Sequence, residues 1–313
     1  MNKALLEKYK GEFFLVLMTL IWGGTFAIIK QSLDHASPVI FVAVRFSIAA
    51  VVMLPFAWKK LRVAKKSTIF AGMFLGALIF FAFSFQTLGL KYTSATKSGF
   101  ITGSVVIIIP FLQTFIEKRF PTPGAIAGAI LVFSGIVLIS SPGDNLAGFI
   151  DELGSGFNIG DLFTVICALI FATHVVYLSV ISKKHETTSL VFLQIIVTGA
   201  LGLLAASVFN ISGLEKLNFE LSGILIFGLV YTSILATIIT TTLQTKYQKV
   251  VTPTKAGIIY SLEPVFAAII AFFALNEKIS NFGYVGSLLI FAGILISELY
   301  DNLVANGRQT GKS

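Results

Sequence analysis

FQTLGLKYTSATKSGFITGSVVIIIP, residues 85–110, and LQTKYQKVVTPTKAGIIYSLEPVFAA, residues 243–268, read as one passage written twice. Advancing the first by 158 residues puts Gln86-Thr87 on Gln244-Thr245 and Lys91 on Lys249. It also puts Thr96-Lys97-x-Gly99 on Thr254-Lys255-x-Gly257, and Gly128 and Gly135 on Gly286 and Gly293. Nearer the N-terminus the offset is 149: Leu20-Ile21 falls on Leu169-Ile170, Trp22 on Phe171, Thr25 on His174 and Arg45 on Gln194. The offset changes in a polar loop around residues 212–218. Chance easily matches apolar residues in such a chain, but not Gln-Thr, Lys and Thr-Lys-x-Gly in order at one offset. The chain therefore divides into a first repeat (1–140), a linker (141–160), a second repeat (161–300) and a tail (301–313).

Both repeats are too apolar for water. Of 313 residues 56% are hydrophobic and 12% charged, with a mean hydropathy of +0.90, whereas soluble domains carry about 25% charged residues. A soluble protein of this length leaves about a quarter of its chain surface in water and has too little polar surface here to cover it. Soluble enzyme, disordered tail, collagen and disulfide scaffold are excluded. The single Cys167 precludes an intrachain disulfide and reads as a small buried hydrophobe, the alternative being a reactive thiol.

Ten apolar stretches approach the length that crosses a bilayer: 13–29, 39–57, 69–88, 94–115, 125–140, 162–182, 190–209, 221–243, 254–275 and 282–299. They are continuous and too long for the alternating strands of a barrel, so helices are expected. The first is too long for the apolar core of a signal peptide and has no cleavage site after it. The expected fold is all-α and polytopic, with ten transmembrane helices in two five-helix repeats. Five is odd, so the repeats enter the membrane in opposite senses, an arrangement found in secondary transporters.

The 23 Lys and Arg orient the chain. With the N-terminus inside, sixteen lie on the cytoplasmic side and four, Lys30, Lys91, Lys216 and Lys278, outside; Arg45, Lys97 and Lys255 fall within spans. That bias places both termini in the cytoplasm, in an inner-membrane protein of bacterial type. The external linker carries Asp144, Asp151 and Glu152 and no base. The net charge of +8 is anchoring charge, and no nucleic-acid partner is expected.

The passage beginning at Phe85 resembles the EamA-type branch of the drug/metabolite transporter superfamily. So do LIWGGTFAIIK (20–30), LIFATHVVYLS (169–179) and the whole of 243–280, with its Leu-Glu-Pro and Asn-Glu-Lys. The resemblance covers nearly all of the chain. It implies ten helices, inverted repeats, a central cavity and transport of a small organic molecule, often outward. One departure is visible: the counterpart of Glu277 is Arg119, with Glu117 two residues earlier, so no role is carried onto Glu117.

Polar residues inside the spans are the candidate site. Charge there is costly and faces a cavity or a partner. Arg45 lies seven residues after Pro38, about 10 Å into the second span. It either holds an anionic group such as a carboxylate, or snorkels outward or braces a carbonyl; Gln194 is its polar counterpart. Lys97 and Lys255 open the fourth and ninth spans, the latter behind Thr252 as N-cap and Pro253 at the first helical position. They read as anion entry sites, one near each face, or as interfacial anchors. Glu263 beside Pro264 reads as a protonatable or amine-binding group, or as part of a helix kink; Pro110 is expected to bend the fourth span. His174 reads as a proton switch or a packing residue. Gln86 and Gln244 bond at the repeat interface or reach substrate. Trp22 and Tyr260 stack on substrate or pack, and Thr25 matches His174. Gly72-x-x-x-Gly76, Gly99-x-x-x-Gly103 and Gly124-x-x-x-Gly128 allow close helix packing, with Gly99 and Gly103 also letting the fourth helix rock.

No phosphate-binding G-x-x-x-x-G-K-[ST] loop, H-E-x-x-H or Cys/His cluster occurs. No cofactor, metal or enzymatic activity is expected. The reading is a carrier of a small organic metabolite such as an amino acid, working by alternating access and probing both faces of the bilayer. The alternatives are a proton-coupled drug or cation exporter using Glu263, and a non-transporting membrane scaffold. The oligomeric state is left open.

Overall fold

The computed structural model describes residues 3–141, 145–154, 156–213, 217–275 and 280–310. Asp144, Lys216, Glu277, Lys278 and Lys312 lie outside the described residues, as do the side chains of Glu152 and Arg308. All ten apolar stretches fall on helices. The chain is an all-α polytopic membrane protein. Among the described residues, eight helical runs are long and apolar enough to cross a membrane: Leu6–Ser32, Pro38–Arg62, Lys66–Tyr92, Ala95–Glu117, Ile159–Ile181, Thr187–Ser212, Gly223–Val250 and Asn281–Tyr300. A ninth apolar helix, Pro123–Ile139, is shorter, at 17 residues.

The helices are α1 (Lys3–Gly23), α2 (Thr25–Ser32), α3 (Pro38–Arg62), α4 (Lys66–Tyr92), α5 (Ala95–Gly103), α6 (Val105–Glu117), α7 (Pro123–Ile139), α8 (Leu146–Gly154), α9 (Ile159–Ile181), α10 (Thr187–Ser212), α11 (Gly223–Val230), α12 (Thr240–Tyr247), α13 (Pro253–Tyr260), α14 (Glu263–Leu275) and α15 (Asn281–Thr310). A π-helical segment, Tyr231–Ile239, joins α11 to α12. Helix also occurs outside the ten apolar stretches. The linker contains α8, whose Phe149 is buried against Phe100 with ring centroids 5.1 Å apart. The tail continues α15 as far as Thr310.

Large apolar side chains face outward, with Phe56, Phe115 and Phe273 each about three-quarters exposed. Thr164, Thr198 and Gln194 are fully buried and hydrogen-bonded. This distribution suits hydrocarbon as solvent: lipid rewards apolar contact outside, and polar groups find partners inside. Thr198 Oγ1, for instance, donates to Gly76 O at 2.9 Å and Gln194 O at 2.8 Å.

The spans of one half pack against those of the other. α3 lies on α10, α4 on α9 and α10, α6 on α9, α1 on α12, α13 and α14, and α7 on α15. The α7–α15 pair is antiparallel and reciprocal. A Cβ on Gly128 would stand 2.6 Å from Gly293 O, and one on Gly293 the same distance from Gly128 O. Gly135 and Gly286 meet each other's carbonyls in the same way at 2.5 Å. Only residues without a side chain permit this approach. Of the expected small-residue pairs, Gly72 packs on Leu193, Gly76 on Gln194 and Val197, and Gly124 on Tyr300, whereas Gly99 faces open space.

Two spans break where the repeats correspond. Ser104 separates α5 from α6, and Ser261 and Leu262 separate α13 from α14. At the offset of 158, Gly103-Ser104 maps onto Ser261-Leu262. The helix does not end at Pro110: α6 continues through it. The break comes six residues earlier, after Gly103, with Ser104 Oγ turned back onto Ile101 O at 2.6 Å.

Candidate functional site

The two breaks flank a central cavity of about 60 Å³, room for a few water molecules in this state. Trp22 and Thr25 enter from α1 and α2, Arg45 from α3, Phe83 and Gln86 from α4, and Phe171 and Val175 from α9. The ends of the broken helices complete the wall with Thr102, Gly103, Val105 and Val106 on one side and Gly257, Tyr260, Ser261 and Glu263 on the other. Backbone that leaves the helical ladder at membrane depth is tolerated where it lines a cavity or is buried in protein.

Arg45 is 1% exposed. Its Nε donates to Thr237 Oγ1 at 2.9 Å and its Nη2 to Ala236 O at 3.0 Å. Both acceptors belong to the π-helical segment, where i→i+5 bonding widens the backbone and lets a carbonyl turn aside. Nη1 has no partner among the described residues. The guanidinium lies over Phe83, 4.4 Å from the ring centroid, and near Phe46 at 5.2 Å, so cation–π attraction helps to hold the charge. Arg45 thus braces a carbonyl and faces the cavity at once.

Also lining the cavity, Glu263 opens α14 beside Pro264. Aromatic rings form the remaining wall. Trp22 and Tyr260 meet edge-on at 5.5 Å and Phe83 and Phe171 at 5.3 Å. Tyr260 Oη donates to Gln248 Oε1 at 2.8 Å, and Gln248 Nε2 donates to Val175 O at 2.6 Å. Thr25 Oγ1 donates to Trp22 O at 2.8 Å beside the bend at Gly24.

Trp22, Thr25, Arg45, Gln86, Tyr260 and Glu263 therefore share one wall. The other five predicted residues lie elsewhere. His174 is buried, with Nε2 3.0 Å from Gln194 Oε1, and Gln194 Nε2 donates to Leu190 O at 3.2 Å; both are packing residues of α9 and α10. Gln244 is buried on α12. Neither Lys97 nor Lys255 is among the residues that line the cavity, and each is paired with protein carboxylates. Lys97 Nζ lies 2.8 Å from Asp161 Oδ2 and donates to Gly156 O at 2.9 Å. Lys255 Nζ lies 3.1 Å from Glu12 Oε1 and also pairs with Glu298. Their helix-opening positions are as expected: Ser94 and Thr252 cap α5 and α13 by accepting from Lys97 N at 3.1 Å and Lys255 N at 3.4 Å. No cluster of potential metal ligands occurs among the described residues.

A many-span helical protein enclosing a central polar and aromatic cavity between broken helices is built as a membrane carrier. The EamA-like transporter family model matches the chain twice, over residues 9–141 and 158–299. The chain belongs to the EamA-like transporter family and is a membrane transporter. It is 33% identical over 287 residues to an uncharacterised transporter of Archaeoglobus fulgidus, covering 91% of this chain and 84% of that one. It is 25% identical to the uncharacterised transporter YcxC of Bacillus subtilis, covering 91% of both chains. A protein of known crystal structure superposes with a TM-score of 0.75 over 95% of this chain and 99% of its own, at 17% identity, a likeness of fold.

Proposed function

We propose that this protein is a secondary carrier of a small organic metabolite bearing a carboxylate, such as an amino acid. It has ten crossings in two inverted repeats and works by alternating access, with both termini in the cytoplasm of a cell whose inner membrane it spans. The observation that carries the substrate class is the Arg45 guanidinium. It is buried, held by the π-helical segment, belongs to a residue that lines the cavity, and leaves Nη1 without a partner among the described residues. A buried cation with free donors is costly until an anion supplies acceptors, and guanidinium geometry suits a carboxylate. Glu263 on the same wall can face an ammonium group, and the rings of Trp22, Phe83, Phe171 and Tyr260 suit an apolar side chain. The two matches of the family model and the reciprocal glycine contacts of α7 and α15 support the repeat.

The test is counterflow in proteoliposomes with labelled amino acids, the matching keto acids and the matching amines. Amino and keto acids should accumulate, and Arg45→Gln should abolish their flux with the amines unaffected. Flux of amines alone would reject the carboxylate. A second reading, proton-coupled export of an amine or cationic drug, is favoured by Glu263 on the cavity wall. It requires amine flux that follows an imposed pH gradient and disappears in Glu263→Gln.

A further inference from the structure

Lys97 and Lys255 correspond at the offset of 158, and Glu12 and Asp161 at the offset of 149. In space Lys97 of the first half binds Asp161 of the second, and Lys255 of the second half binds Glu12 of the first. Exchanging the halves carries one ion pair onto the other. We propose that these two cross-half pairs are the latches of the cavity, each closing one end, so that transport opens them in turn. The assignment rests on the alternating-access reading above.

Three observations carry it. The pairs stand at opposite ends of the bundle. Lys97 opens α5, whereas Gln113, sixteen residues further along the same span and so about 24 Å away, accepts from Thr254 N at 2.9 Å and Thr254 Oγ1 at 2.8 Å. Lys255 is the next residue. Both pairs are also shielded: side-chain exposure is 4% and 0% for Lys97 and Asp161, and 7% and 15% for Lys255 and Glu12. An ion pair out of water is strong while intact, and removing one partner is strongly destabilising. Finally, each lysine rides on a short half-helix that ends at a break. α5 carries Lys97 at its start and Thr102 and Gly103 at the cavity; α13 carries Lys255 at its start and Tyr260 at the cavity. Such a half-helix links cavity contents to latch. The second-half latch is elaborated: Glu298 also binds Lys255, and Lys8 lies 3.2 Å from Glu298 and 3.9 Å from Glu12. The counterpart of Glu298 is Ser140. The first-half latch instead uses Thr93 Oγ1 and Asn158 N, which donate to Asp161 at 2.6 and 2.9 Å.

The test needs no substrate. A Thr102→Cys reporter, in a Cys167→Ala background, is placed in vesicles of known orientation. It is labelled from either side with a membrane-impermeant methanethiosulfonate. Lys97→Gln should speed labelling from the Lys97 side by about 10-fold or more and slow it from the other, because it weakens only the states closed at that end. Lys255→Gln should do the reverse. Asp161→Asn and Glu12→Gln should repeat the two patterns, and Lys97→Arg and Lys255→Arg should keep the parental rates. Changes of the same sign at both ends, or no change, would overturn the latches. So would failure of all four neutralised variants to assemble, which would make the pairs structural. A parental reporter that labels from one side only would instead sink alternating access. Labelling from both sides, indifferent to all four substitutions, would sink the latches alone.

Discussion

Arg45 keeps a charge at membrane depth because the π-helical segment turns Thr237 and Ala236 toward it. That support should be measurable apart from the charge. Thr237→Val removes the acceptor of Nε and leaves the guanidinium in place. Since a hydrogen bond to a charged group contributes about 1.5–3 kcal/mol, KM for a carboxylate solute in counterflow should rise by about 10-fold or more, with expression unchanged. A second residue sets a pH response. Glu186 caps α10 by accepting from Ser189 N at 2.7 Å. Partial burial raises its pKa, but hydrogen bonds from Ser189 and Thr188 outweigh this and hold it below the usual carboxylate range. A depressed folded pKa means stabilisation that is complete above the unfolded value and fades as pH falls through the folded one. Glu186→Ala should therefore lower Tm at pH 7, by the cap's share of about 0.5–1 kcal/mol at so exposed a site. The gap to the parent should narrow below about pH 4. At this scale, the wall residues were legible because a polar side chain inside an apolar run has few explanations. The acids that engage the lysines were not. Glu12 and Asp161 each sit one residue outside an expected stretch, and Glu298 is the penultimate residue of the last one. A reading of apolar runs trims such positions. The matching offset of Glu12 and Asp161 was the signal that could have found them.

Helices read from hydropathy were right in kind and place, yet their interruptions were misjudged. Pro264 marks one break, but its presumed partner Pro110 marks none. Pro110 removes the helical donor to Val106 O, and the helix nonetheless continues past it to Glu117. The equivalent break falls at Gly103-Ser104, a signal carried by repeat register rather than by residue type. Helix contacts give a sharper expectation. A Cβ on Gly128 would overlap Gly293 O at 2.6 Å, whereas Gly99 has nothing within 4 Å. Gly128→Ala should therefore cost about 1–3 kcal/mol through forced separation of α7 and α15. Gly99→Ala should be neutral or stabilising by up to about 1 kcal/mol. Thermal unfolding of the two variants in detergent separates them. Equal shifts would mean that the α7–α15 seam has slack.

For the whole molecule, the ten crossings proposed above would place both ends of the chain on one side of the bilayer. Tags fused at residues 1 and 313 should therefore respond alike to an impermeant protease, protected in intact cells and cleaved in inside-out vesicles. Opposite responses would remove the inverted repeat and alternating access together. Polytopic class was legible from composition alone, and the duplication from a few polar matches. The central cavity was not, because its wall is drawn from nine helical segments that only packing brings together. The glycine seam has one more consequence. Swap the halves, and the contact of Gly128 with Gly293 becomes that of Gly286 with Gly135, which is already present. The ion pairs exchange in the same way but stand at opposite ends of the bundle, whereas these two contacts lie on one continuous seam between the same two helices, so the swap leaves the seam closed. The α7–α15 pair can serve as a stationary axle, and the remaining spans supply the moving parts.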